Sequence, residues 1–139
     1  MIDYIINPVL MGGIITKING DMLHVNLHGR LGVLEIPSKY LIDGNAFEGE
    51  RVRFYFSYIN TTKDPLDYDT AGLDPALPMD PSYVGGKLIE VNDTAVKASV
   101  ADLGATVAVP RRWIFTDFPL EEGQYVEFYL SCLKKEESS

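Results

Sequence analysis

The sequence predicts an all-β protein: two small barrel-like units in tandem, packed together and joined by a linker rich in Pro and Asp. Three observations predict it. The stretch "EGERVRFYFS" (Glu48 to Ser57) recurs as "EGQYVEFYLS" (Glu122 to Ser131), with six of ten positions identical. Apolar and polar residues alternate at a period of two in runs rich in Val, Ile, Phe and Tyr, the pattern of half-buried strands. Gly, Pro and Asn-Gly punctuate those runs at the spacing of tight turns.

The recurrence extends beyond the ten-residue stretch, and internal repeats decide the fold class before anything else. Sliding the chain by 73 residues lays Gly12-Gly13 on Gly85-Gly86, Asn19 on Asn92 and Pro37 on Pro110. Leu23, Val25 and Leu27 then match Val96, Ala98 and Val100, and Tyr40 matches Trp113. One extra residue before Glu122 brings the two ten-residue stretches into line. The organisation read from this is a first unit over residues 1–59, a linker over 60–84 and a second unit over 85–139.

Within a unit, "IITKI", Asn19-Gly20 and "MLHVNL" predict a hairpin, because Asn-Gly accepts the two positive φ angles of a type I′ turn. Asn92-Asp93 fills that place in the second unit. "HGR" turns the chain into "LGVLEI", which Pro37 ends because it has no N–H for a ladder. "PSKYL" and "PRRWI" place Pro where a short helical turn begins. The ten-residue stretch closes the unit, with Val52, Phe54 and Phe56 facing the core and Arg51, Arg53, Tyr55 and Ser57 facing away. About 48 residues is small for an independent core, so the units pack together or a strand crosses between them. The linker carries Pro65, Pro75, Pro78 and Pro81, and its Leu66, Tyr68, Leu73 and Leu77 predict docking against the barrels.

Composition narrows function more than it identifies it. With 46% hydrophobic residues over 139 positions the chain can bury a core. No apolar run reaches the roughly 18 residues of a membrane span, and no membrane association is expected. The opening "MIDYIINPVLMGG" lacks a basic n-region and a small-residue cleavage site, so no signal peptide is expected. One cysteine, Cys132, rules out an internal disulfide, fits a cytoplasmic protein and sits in an apolar segment that predicts a buried thiol. Half of the net charge of −8 lies in the linker, where five Asp face one Lys. An acidic chain is repelled by phosphate backbones unless it segregates a basic patch, which disfavours nucleic acid.

The order of signals resembles the S1-type small barrel of the OB superfamily, an SH3-sized scaffold. "GGIITKINGDMLHVNL" is similar to that family's Gly-initiated first hairpin, "GVLEIPS" to its central Gly-Leu-x-x-Ile-Ser segment and "GERVRF" to its Gly-x-x-Val-x-Phe strand. The resemblance implies a single-stranded nucleic-acid binder. The family's stacking Phe and strand-three His are replaced here by Met22 and Glu35, and by Ala95 and Ala108 in the second unit. Its further C-terminal strand has no evident source in "LKKEESS". Tandem Mop/TOBE modules, which bind molybdate, are similar in repeat size. Ser57 and Ser131 fall where their late strand ends, but that family's Ser-Ala-Arg-Asn and Lys-Ala-Ser signatures are absent.

No Ser-His-Asp arrangement, phosphate loop or metal triad is present, so no enzyme activity and no cofactor are expected. His24 and His28 lack a third metal ligand in the sequence. "DYDTAGLD" (Asp67 to Asp74) departs from a calcium loop at Ala71 and Pro78. The candidate ligand surface is Arg30, Lys39, Tyr40, Arg51, Arg53, Tyr55, Arg111, Arg112, Trp113 and Tyr129. There, guanidinium groups beside aromatic rings suit an anionic or aromatic ligand. The simpler reading has Trp113 and Tyr40 plugging the barrel ends under the stems of the basic residues. The sequence therefore points to a non-enzymatic binding module with a protein partner, and secondarily to a weak single-stranded RNA or DNA binder.

Overall fold

The computed structural model describes residues 7–42, 45–63, 73, 81–116 and 119–136. The protein is all-β, as the alternation predicts. Its strands are β1 (Val9–Asn19), β2 (Met22–Leu27), β3 (Val33–Pro37), β4 (Arg51–Phe56), β5 (Ile59–Thr62), β6 (Ser82–Val91), β7 (Ala95–Val100), β8 (Ala105–Pro110), β9 (Ile114–Phe115), β10 (Tyr125–Leu130) and β11 (Lys134–Lys135). Among the described residues the helical content is four single 3-10 turns, and no helix is long and apolar enough to cross a membrane.

The two ten-residue stretches become β4 and β10, and both bury their alternate apolar residues. Val52, Phe54, Phe56, Val126, Phe128 and Leu130 are at most 1% exposed. Phe56 meets Phe128 edge to face at 5.6 Å and Phe54 at 5.9 Å, so these rings form the centre of the core. Edge-on and tilted contacts suit the ring quadrupole.

The eleven strands of the described residues belong to one sheet, in the order β11, β4, β1, β2, β3, β8, β7, β6, β10, β5, β9. A further pairing of β10 with β4 closes the eight strands β4, β1, β2, β3, β8, β7, β6 and β10 into a ring. The halves meet at two seams. Leu34 lies opposite Val107 where β3 pairs β8, and Phe56 lies opposite Leu130 where β4 pairs β10. These partners are also matched residues of the internal alignment, so each seam is centred on a pair of corresponding positions.

At the second seam the chain crosses from one half to the other, twice. β5 continues β4 through Ser57-Tyr58 and pairs with β10, placing Asn60, Thr61 and Thr62 opposite Glu127, Val126 and Tyr125. β11 continues β10 through Ser131, Cys132 and Leu133 and pairs with β4, placing Lys134 and Lys135 opposite Arg53 and Val52. From Phe56 to Asn60 is four residues and from Leu130 back to Glu127 is three, so each strand bulges where it crosses. The stretch read as linker thus begins in β5 and ends in β6. The tail "LKKEESS" does supply a strand, contrary to expectation, because the backbone of Lys134-Lys135 needs only the β4 ladder and no β-forming side chains.

A second correction concerns Ser57, placed outside by strict alternation. Both Ser57 and Ser131 are fully buried. The Ser57 hydroxyl accepts from the Tyr129 N–H at 2.8 Å, and the Ser131 hydroxyl accepts from the Tyr55 N–H at 2.7 Å. Each hydroxyl also donates to the next carbonyl, that of Tyr58 or Cys132, at 2.9 Å. The side chains thereby satisfy backbone groups that the bulges remove from the ladder.

Turn chemistry follows the sequence with one change. The first hairpin turns on Gly20-Asp21, and only Gly20 has positive φ (57°), the type II′ pattern rather than type I′. In the second hairpin the Asn92 carboxamide accepts from the N–H groups of Thr94 and Ala95 at 3.0 and 2.9 Å, an Asx turn in place of a glycine. Gly32 carries φ 103°, and a Cβ there would stand 1.7 Å from the Ala108 carbonyl oxygen, so the first seam requires it. Leu73 of the linker is buried, whereas Leu66, Tyr68, Leu77 and the acidic "DYDTAGLD" side chains lie outside the described residues. Cys132 is buried, as its apolar segment predicts.

Two predictions follow the packing. Phe54→Ala or Phe128→Ala costs about 3–5 kcal/mol in urea unfolding, the range for a fully buried ring. Gly20→Ala costs about 1–2 kcal/mol, the left-handed penalty in open space, and Gly32→Ala costs distinctly more because its Cβ meets backbone. Equal losses at the two glycines would contradict the close approach at the seam.

Candidate binding surfaces

Of the ten candidate residues, Arg51, Arg53, Tyr55 and Tyr129 flank the crossing seam. On β4, Arg51 is exposed while Arg53 and Tyr55 are half-buried, alternating with the buried apolar set. Tyr55 lies opposite Leu10 and Tyr129 opposite Tyr83, with the two tyrosine rings 4.8 Å apart. Leu10 is 52% exposed, so an aromatic and aliphatic strip reaches solvent over the seam. Leu10 and Tyr83 were not among the predicted residues. The register alone brings them there, although the 73-residue alignment matches them to each other.

Arg53 has a second set of neighbours. Lys134 stands opposite it on β11 and Gly12 opposite it on β1. A Cβ on Gly12 would lie 2.6 Å from His28 Nδ1, so the absent side chain makes room for that imidazole. The Nε of Arg53 is buried with no hydrogen-bond partner. Nearby, Lys135 pairs with Glu50 at 3.3 Å and lies 5.4 Å from the Phe47 ring centre.

Arg30 and Arg112 come together elsewhere. The Arg112 guanidinium donates to the carbonyls of Gly29 and Arg30, both at 3.4 Å. The turn that presents those carbonyls is left-handed, with Gly29 at φ 72° and Arg30 at φ 58°. Arg112 therefore fastens one half to the other, and Arg111 beside it is exposed. Lys39, the residue matched to Arg112, instead lines an open groove of about 770 Å³ with Asn19, Asp21, Met22, Leu103 and Gly104. Tyr40 beside it is buried, with the Lys39 ammonium 5.3 Å from its ring centre.

Trp113 serves the seam. Its indole N–H donates to the Ser57 carbonyl at 2.9 Å, and its ring stacks on Tyr58 at 4.0 Å and on Phe56 at 6.1 Å. Tyr58 in turn stacks on Phe115 at 4.7 Å. The serine hydroxyls are likewise committed to backbone. His24 Nδ1 lies 3.7 Å from a Glu35 carboxylate oxygen, while His28 lies over Gly12. Among the described residues no three His, Cys, Asp or Glu side chains gather as a metal site.

Replacing Trp113 by Phe tests the seam assignment. It keeps an aromatic ring and removes the donor to Ser57, so it costs about 0.5–1.5 kcal/mol of stability in chemical denaturation. An unchanged midpoint would mean that the indole N–H contributes nothing there.

Comparison with protein-family models and with curated proteins finds no match to this chain.

Proposed function

We propose that the chain is a non-enzymatic interaction module that binds a protein partner over the crossing seam. The observation that carries this reading is the strip formed by Leu10, Tyr55, Tyr83 and Tyr129. Aromatic side chains concentrate at the centres of protein interfaces, where they contribute much area at little conformational cost. Two further features support it. The eight strands of the ring are paired on both sides, which confines strand addition to the two-residue β9 and β11 at the ends of the sheet. The interior is occupied by Phe54, Phe56 and Phe128, which leaves the outer surface for recognition. The same reading takes the halves as duplicated S1/OB-type units and the protein as cytoplasmic, with no cofactor.

A second reading has one observation in its favour. Arg51, Arg53 and Lys134 adjoin Tyr55, and a basic strip beside an aromatic ring suits single-stranded RNA or DNA. The net charge of −8 opposes it.

Affinity purification of the tagged protein from its own cells, beside a Leu10→Asp/Tyr83→Ser variant, separates these readings. The expected outcome is a protein recovered with the wild type and lost with the variant, at an unchanged melting temperature. Recovery of the same protein with both would overturn the seam as the binding face. Fluorescence anisotropy with oligo-U is expected to show no saturation at micromolar protein in physiological salt. A saturable, salt-sensitive signal lost on changing Arg51 and Arg53 to Ala would favour nucleic acid instead.

A further inference from the structure

The two halves place different chemistry at one matched position on the barrel wall. In the first half Arg53 stands between Gly12 on β1 and Lys134 on β11. In the second, Glu127 stands between Gly85 on β6 and Asn60 on β5, in the same register. Arg51 corresponds to Tyr125, and His28 to Ala101. The backbone therefore does not require a basic cluster here, since the other half builds the same wall without one.

In that cluster charges of like sign lie side by side. Lys134 is directly opposite Arg53, a placement that is unfavourable for like charges on neighbouring strands. Arg51 follows on the same face of β4, and the His28 imidazole fills the space over Gly12 beside Arg53. Among the described residues Arg51, Arg53 and Lys134 make no ion pair: Glu50 is held by Lys135, and Glu136, whose N–H donates to the Arg51 carbonyl at 2.9 Å, is exposed. The Arg53 Nε is buried and unpartnered although the residue as a whole is partly open to solvent. A buried guanidinium donor is rarely left unsatisfied, and this one is free to meet an acceptor from solvent, a water or an anion.

We propose that Arg53, Lys134, Arg51 and His28 form a binding site for a phosphate group, free or carried on a small molecule. The chemistry matches. The guanidinium offers parallel N–H donors to two phosphate oxygens, the Lys134 ammonium supplies a point charge from the neighbouring strand, and His28 supplies a ring N–H at the far side. A doubly charged anion would also relieve the repulsion between Arg53 and Lys134. The site adjoins the aromatic strip without using any of its residues, so it stands or falls separately from the protein-partner reading.

Isothermal titration of the whole protein at low ionic strength tests it, with inorganic phosphate, a sugar phosphate and sulfate as separate ligands and chloride matching the ionic strength. Saturable binding of a phosphate ligand is expected, weakened about tenfold or more by Arg53→Gln and by Lys134→Gln. Saturation by inorganic phosphate would identify a free anion, and saturation by the sugar phosphate alone a carried one; either supports the site. Because phosphate also stabilises proteins by exclusion from their surface, thermal unfolding is followed in parallel. The wild type is expected to gain more in phosphate than either variant. Lys134→Gln lies on a two-residue terminal strand and keeps the test available if Arg53→Gln does not fold. Equal titrations for wild type and Lys134→Gln, equal binding of sulfate and chloride to that of phosphate, or binding confined to an oligonucleotide would each overturn the proposal.

Discussion

Two buried hydroxyls hold the arrangement on which the rest of the barrel depends. At the crossing seam β4 and β10 must bend so that their continuations pass to the opposite half, and a bend in a ladder strands backbone N–H groups in the core. Ser57 and Ser131 meet the N–H groups of Tyr129 and Tyr55 there, each serving the strand of the other half. An unsatisfied buried donor costs roughly 1–3 kcal/mol, and the seam would carry two. A serine at the end of both ten-residue stretches is thus the local requirement of a long-range pairing. Around it, the Trp113 indole takes up the Ser57 carbonyl, and Phe56 packs between Phe54, Phe128 and the indole ring.

What the sequence made legible was whatever depends on neighbours along the chain. Alternation located β2, β4, β7 and β10 and assigned Phe54 and Phe128 to the core. Asn19-Gly20 located the first hairpin, although the register placed Gly20-Asp21 at its centre and so changed the turn type. What stayed hidden depends on residues far apart in the chain. Ser57 reads as an outward residue because it follows Phe56 in a period of two, and only the crossing interrupts that period. Lys134-Lys135 has no preference for a strand and becomes one because β4 offers it a ladder.

The candidate surface divides along the same line. A basic and aromatic grouping was visible at Arg111, Arg112 and Trp113, but its members have different tasks: Arg112 ties down the Gly29-Arg30 turn, Trp113 supports the seam and Arg111 is exposed. Tyr58, which completes the stack on Trp113, lies 55 residues earlier and gives no local hint of the contact. The cluster at Arg53 depends on Lys134 and His28, which reach it from β11 and from the turn after β2. Comparing matched positions of the halves is the one signal in the sequence that marks it, through the exchange of Arg53 for Glu127.

The reciprocal crossing means that neither half is self-sufficient as a piece of sheet. A half limited to its own strands would expose one side of its last long strand and one side of β3 or β8, the two places where matched residues face each other. Two such halves are the smallest number that closes the ring, which makes the geometry that of a symmetric pair of subunits carried on one chain. The segment between β5 and β6 then acts as a tether. It replaces an encounter between separate molecules with an intramolecular one. Closure of the barrel is in that sense independent of how dilute the protein is. Because both halves lie on one chain, a side chain of one need not be repeated in the other, as Arg53 and Glu127 illustrate.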